Sequence, residues 1–173
     1  MNIRLTKLKD TDAEALLAFE YENRDFFETM VPGRGDEYYN LIEFLKRHEA
    51  LLTEQNLGIS HFYLIKDDND NILGRMNMVN LDKQRHGVLG YRVGQAYTGK
   101  GIATKALQLL IKEAIALGIK QLHAKTTNHN LPSQKVLQKN GFHYEKTELV
   151  PFVMNGEKVK FVYYKWVSNK KAG

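Results

Sequence analysis

The chain has 173 residues, 43% of them hydrophobic, with 25 lysines and arginines against 20 aspartates and glutamates, a formal charge of +5, and no cysteine. At a prior of about one domain per 150 residues this length supports a single domain over 1–173, and its ordinary glycine and proline content excludes collagen-like and wholly disordered chains. Without cysteine there is no disulfide framework, thiolate zinc site or cysteine nucleophile, which fits a reducing compartment.

The first residues, Met1 to Lys7, carry no apolar stretch of the secretory kind, and the longest apolar run, Ala106 to Leu117, is interrupted by Gln108, Lys112 and Glu113. A bilayer span needs roughly 18 apolar residues, so a cytoplasmic protein without membrane contact is expected. The positive charge favours an anionic partner, whether a phosphorylated cofactor, nucleic acid or an acidic protein.

A strand is predicted over Asn2 to Leu8, followed at Thr11 and Glu14 by capping-box spacing and a helix through about Phe27. A second helix is predicted from near Asp36, burying Leu41, Phe44, Leu45, His48, Leu51 and Leu52 before Gly58 stops it. Three strands follow, His61 to Lys66, Ile72 to Asn80 and His86 to Gln95. Their short polar connections leave no room for helical crossovers and imply an antiparallel meander. A helix from Gly101 to Gly118 carries an apolar stripe of Ala103, Ala106, Leu107, Leu110, Ile111 and Ala114, and the strand Gln121 to Thr126 follows it. A short helix begins after Asn130 with Pro132 in its first turn and ends at Gly141. Two final strands, Phe142 to Leu149 and Lys158 to Val167, are joined by a turn at Asn155-Gly156, and Lys170 to Gly173 read as a frayed polar end. The order βαα, βββ, αβ, αββ describes an α+β (mixed α/β) fold with helices on a mixed sheet.

The segment Tyr91 to Thr104 joins a strand to the long amphipathic helix and contains Gly99-Lys100-Gly101. Such a junction directs unpaired amides and the positive end of the helix dipole at one place, which suits a pyrophosphate, although a plain helix-entry turn gives the same pattern. A Walker A loop is excluded because Gly101 follows Lys100 where a serine or threonine must hold magnesium, and a Rossmann fingerprint is excluded because Thr104 stands at its third glycine.

Together with Asn130, Ser133 and the run Val136 to Phe142, the Gly99-Lys100-Gly101-Ile102-Ala103 loop resembles the paired signatures of the GNAT superfamily of N-acetyltransferases, in the family's order and over nearly the whole chain. Glu22-Asn23-Arg24 and the Asn-x-x-Ser form of the second motif resemble the Rim-type branch, which acetylates N-termini of ribosomal proteins. The resemblance implies a mostly antiparallel twisted central sheet of about seven strands with four main helices on its faces. It implies acetyl-CoA as substrate-cofactor, its pyrophosphate on the amides of Thr98, Gly99, Lys100, Gly101, Ile102, Ala103 and Thr104, its pantetheine arm on the backbone of Val93 and on Asn130, and its sulfur near Ser133.

The implied chemistry is direct attack of a neutral amine on the thioester, the acceptor being the α-amine of a protein N-terminus, with a polyamine or aminoglycoside-like amine, or a non-catalytic CoA-binding module, as the alternatives. The chain departs from the family where many members carry a tyrosine acid, here Leu137, and a glutamate base, here Val88. Ser133 is then the candidate donor to the departing thiolate, or a helix cap, and Glu22 is the candidate base, beside Asp25, His86 or a water held by Asn77. The histidines lack metal-ligand spacing and no metal is expected. Direct nucleic-acid binding is not expected, because the basic C-terminal end lacks an aromatic-plus-basic recognition motif, and a monomer or homodimer is expected.

Overall fold

In the computed structural model, which describes residues 1–169, a seven-stranded sheet has the order β1-β2-β3-β4-β5-β9-β6. The strands are β1 Arg4–Lys7, β2 His61–Lys66, β3 Ile72–Val79, β4 His86–Val93, β5 Gln121–Thr127, β6 His143–Thr147 and β9 Phe161–Val167; β7 Phe152–Met154 and β8 Glu157–Val159 form a separate hairpin. The helices are α1 Ala13–Glu22, α2 Arg24–Glu28, α3 Leu41–Asn56, α4 Ile102–Ala116 and α5 Leu131–Lys139. All sheet pairs are antiparallel except β4 with β5. The predicted frayed end lies outside the described residues.

Alternation along the strands divides the core into two. On one face, Tyr63, Ile65, Met76, Met78 and Leu89 pack under α4 and α5 with Leu107, Leu110 and Leu137. On the other, Phe62 and Leu64 pack under α1, α2 and α3 with Leu16, Phe19, Phe27 and Phe44. Leu107 and Leu110 are fully buried, each contributing about 1.5–3 kcal/mol of transfer free energy.

Several sequence expectations are corrected. The Thr11/Glu14 capping box does not form; Thr11 lies in a 3-10 turn, Asp10–Asp12, and the Asp12 carboxylate accepts from Lys9 N–H at 2.8 Å. The first helix breaks at Asn23, giving five helices instead of four. Asp36–Tyr39 is a 3-10 turn and α3 starts at Leu41, because Asn40 accepts from the amides of Ile42 and Glu43 and so caps it. That start leaves Leu41 and Leu45 exposed, while Phe44 and His48 are buried as expected. The Asn155-Gly156 turn closes the small β7–β8 hairpin and does not join β6 to β9 directly, with Asn155 and Gly156 both at positive φ as a tight turn requires.

Candidate active site

The parallel pairing of β4 with β5 covers only His86, Gly87 and Val88 against Gln121, Leu122 and His123. Beyond Val88 the two strands diverge: Leu89 to Val93 pair only with β3, and Ala124 to Thr127 only with β9. Gly94 N–H donates to Leu73 O at 2.8 Å, which fixes the phase of the β3–β4 ladder. By alternation, the main-chain groups of Leu89, Tyr91 and Val93 point away from β3 and into the gap. Val93 therefore stands where the sequence reading puts it, at the end of β4 with its backbone free of the ladder.

The glycine loop lies at the exit of β4. Gly99 and Gly101 have φ of +73° and +74°, and a Cβ on either would meet no protein atom within 4 Å. The left-handed conformation and the open space above it are what an incoming anion needs. The first intrahelical bond of α4 runs from Lys105 N–H to Gly101 O, so the amides of Ile102, Ala103 and Thr104 precede the ladder and face outward. Ile102 sends its side chain into the core, leaving only its amide at the loop, and Lys100 is exposed. Thr98 gives both its amide, at 3.3 Å, and its hydroxyl, at 2.9 Å, to Gln95 O, so of the amides expected to hold the pyrophosphate that of Thr98 is already committed. The loop fits a pyrophosphate.

Across the gap, Asn130 Oδ1 accepts from Ser133 N–H at 3.2 Å and is the cap of α5. Ser133 is thus the capped residue and not the cap. Its Oγ lies 3.0 Å from the Tyr91 hydroxyl. Burial raises the pKa of Tyr91 above the ordinary value of 10, with the Ser133 hydrogen bond opposing that shift. Leu137, where the family tyrosine is missing, is a core residue with 1% exposure.

On the opposite face, Glu20 is completely buried, with one oxygen accepting from Arg75 at 2.9 Å and the other from Arg92 at 3.0 Å. Burial lowers the pKa of Arg92 despite the attraction of Glu20. A cavity of 370 Å³ opens beside this cluster, between α1 and α3 and the strands β2 and β3, with Asn77 in its wall. Asn77 leans over Gly90 on β4; a Cβ at Gly90 would lie 2.7 Å from Asn77 Oδ1. The missing side chain at Gly90 is therefore what lets the Asn77 side chain lie across β4 at the wall of the cavity.

Of the proposed bases, Asn77 alone lines this cavity. Glu22 is exposed at the end of α1, Asp25 is exposed on α2, and His86 sits at the paired end of β4 with its N–H donated to Asp82. Three residues escaped the sequence reading. Tyr91 carries no motif signal of its own, since a β-strand tyrosine ordinarily signals packing. Asn23 is buried and its Oδ1 accepts from Gln95 N–H at 2.9 Å, fastening the loop entry to α1. Asn140, in the second motif, donates to Thr104 O at 3.2 Å and ties α5 to the first turn of α4.

Among the described residues no group of three or more histidine, aspartate or glutamate side chains is placed to hold a metal, and no helix is long and apolar enough to cross a membrane.

The family model for the acetyltransferase (GNAT) domain matches residues 2–143. A probable N-acetyltransferase, YjcK of Bacillus subtilis (strain 168), is 33% identical over 150 residues, covering 83% of this chain and 81% of its own. Among solved structures, the ribosomal-protein-S5-alanine acetyltransferase of Vibrio fischeri superposes with a TM-score of 0.89 at 21% identity, covering 98% of this chain and 94% of that one. The ribosomal L7/L12 α-N-protein acetyltransferase RimL, solved with coenzyme A, gives 0.86 at 19% identity over 96% and 94%. Spermidine N-acetyltransferase from Vibrio cholerae, solved with CoA and spermine, gives 0.77 at 14% over 95% of each chain. These solved structures share the fold, and their acceptors differ. With its glycine loop, diverging strands and matching domain model, the chain belongs to the GNAT acetyltransferases and is an acetyl-CoA-dependent N-acetyltransferase.

Proposed function

We propose that this enzyme acetylates the α-amine of a peptide or protein N-terminus. The carrying observation is that, among the described residues, no aspartate or glutamate lines the cavity beside the gap, while Val88 occupies the strand position of the usual base and both oxygens of the buried Glu20 are held by arginines. An amine near pKa 7.7–8.0 is partly neutral at pH 7, whereas a lysine-like amine near 10.4 needs a base to remove its proton. A site without a base therefore favours an α-amine over a polyamine. The likeness to ribosomal-protein N-terminal acetyltransferases agrees with this choice.

In this reading the amides of Gly99 to Thr104 hold the pyrophosphate, with Lys100 at the rim, and Asn130 lies along the pantetheine arm. The Val93 amide donates to the thioester carbonyl oxygen as charge develops there. The amine attacks the carbonyl carbon and the carbon–sulfur bond breaks. Ser133 Oγ–H gives its proton to the departing sulfur and is reprotonated from Tyr91, which regains a proton from solvent, while the excess proton of the amine passes to a water held at Asn77 and on to solvent.

The test is CoA thiol release with acetyl-CoA and three acceptors: a serine-initiated peptide, the same peptide blocked at its N-terminus but containing lysine, and spermidine. The free α-amine is expected to exceed both others by at least about tenfold in kcat/KM, a difference of about 1.4 kcal/mol. Spermidine turning over equally well would overturn the assignment.

A further inference from the structure

The cavity beside the gap has a marked charge. Arg34, Arg47 and Arg75 line it, together with Tyr38, His48 and Asn77, and no aspartate or glutamate belongs to the lining. Arg75 is buried and balanced by Glu20. Arg34 and Arg47 are exposed, and among the described residues neither has a carboxylate partner. Both are nevertheless held in place by the Tyr38 ring: the Arg34 guanidinium lies 4.6 Å and that of Arg47 5.6 Å from its centroid, and Arg34 also donates to the Tyr38 hydroxyl. Tyr38 is itself buried and accepts from Arg75 at 3.3 Å, so one fixed ring organises three guanidiniums. A guanidinium lying over a ring keeps its N–H edge available for an oxyanion.

A second observation concerns His48, which is 3% exposed. Its Nε2 lies 2.8 Å from Lys9 O and so carries the proton, while Nδ1 is buried without a hydrogen-bond partner. Buried polar atoms are rarely left unpaired, and this hydrogen-bond acceptor in the cavity wall marks a place for a donor, a peptide N–H of the acceptor substrate or a water, beside the arginines that would take its anionic group.

Resting on the α-amine reading above, we infer that the acceptor carries an anionic group, a carboxylate or phosphate close to its amine, that Arg34 and Arg47 bind in this cavity while the amine lies on the Asn77 side, toward β4. A polycation is repelled by the same lining. The cavity's 370 Å³ suits a few residues of an acidic N-terminal segment or a small anionic amine.

The experiment measures CoA release at saturating acetyl-CoA with serine-initiated peptides bearing glutamate, glycine or lysine at their second and third positions, and with O-phosphoethanolamine. The glutamate peptide is expected to exceed the glycine peptide about tenfold in kcat/KM and the lysine peptide further, an advantage that fades with added salt. The exposed pair R34Q/R47Q is expected to bring the glutamate peptide down to the glycine level while leaving the glycine peptide and acetyl-CoA affinity unchanged; K83Q, at an exposed lysine outside the cavity, is the control. Preference for O-phosphoethanolamine, lost in R34Q/R47Q, supports the anionic subsite with a small amine as its source. Equal rates for the glutamate and lysine peptides, or a double variant that slows all acceptors alike, overturns the inference. If acetyl-CoA binds but no amine turns over, the α-amine reading fails by itself, and calorimetry of the glutamate peptide on the CoA-loaded protein decides the subsite: binding weakened about tenfold in R34Q/R47Q supports it, and no binding overturns it.

Discussion

The Tyr91 hydroxyl and Ser133 Oγ, 3.0 Å apart, connect β4 to α5 across the place where β4 and β5 separate. The helix that follows β5 is thereby held to the strand that has left it. A tyrosine hydroxyl is supplied from β4 where α5 has Leu137.

If this pair protonates the departing sulfur, Ser133→Ala and Tyr91→Phe should each lower kcat, Ser133→Ala by about 10²-fold, with the acetyl-CoA dissociation constant nearly unchanged. The double variant should be little worse than Ser133→Ala alone, since both act on one proton. Because burial raises the Tyr91 pKa above 10, the hydroxyl stays protonated through neutral pH and the pair should impose no alkaline loss of kcat below about pH 10. Two full, additive losses would contradict a shared role.

The packing of Asn77 over Gly90 predicts a split in kinetic constants. Gly90→Ala places a methyl against Asn77 Oδ1, so KM for the amine should rise several-fold while acetyl-CoA affinity is retained. Steady-state kinetics with each substrate varied in turn checks this, and a matching loss of acetyl-CoA affinity would contradict it.

Glu20→Gln should cost about 3 kcal/mol of stability, read from urea unfolding, because it leaves Arg75 and Arg92 without their shared buried charge. Glu22→Gln, at an exposed position, should leave stability within about 0.5 kcal/mol of wild type. A large loss of turnover in Glu22→Gln would restore that residue as the base and displace the water at Asn77.

His61 supplies a pH dependence of stability. Burial, then the positive charges of Lys7 and Arg85, lower its pKa below 6.5. The unfolded chain then binds the proton more readily than the folded one, so stability should fall as pH drops below about 6.5 and level off below the folded pKa. His61→Gln should flatten that part of the urea-midpoint profile; an unchanged slope would contradict the assignment.

The loop and the three central strands were legible because their signals are local. Glycines at 99 and 101 announce positive φ, and His61 to Lys66 is a short apolar run, buried on both faces, that ends at the turn-forming cluster Asp67 to Asn71. Ser133 was legible as a motif residue, although whether it caps the helix or faces the gap depends on Asn130 taking the cap, which spacing alone leaves open. The acceptor side was not legible. Glu20, Arg75 and Arg92 are separated by 55 and 72 residues and meet only through packing of α1 on the sheet, and Arg34, Tyr38 and Arg47 read as ordinary surface and core residues until the cavity places them together. The break at Asn23 was missed because its side chain serves a distant loop, through Gln95, and no local helix signal records that.

The central claim is that acetyl-CoA binds with its pyrophosphate on the Gly99–Thr104 amides, and calorimetric titration tests it most directly. Wild type should bind acetyl-CoA with a dissociation constant on the order of micromolar and bind ATP far more weakly. Gly101→Val should weaken acetyl-CoA by well over tenfold, about 1.4 kcal/mol or more, whereas Gly156→Val, with similar positive-φ strain in the β7–β8 hairpin, should leave binding intact. No binding by wild type, ATP bound in preference, or a Gly101→Val protein that is folded and binds as wild type does would contradict the account.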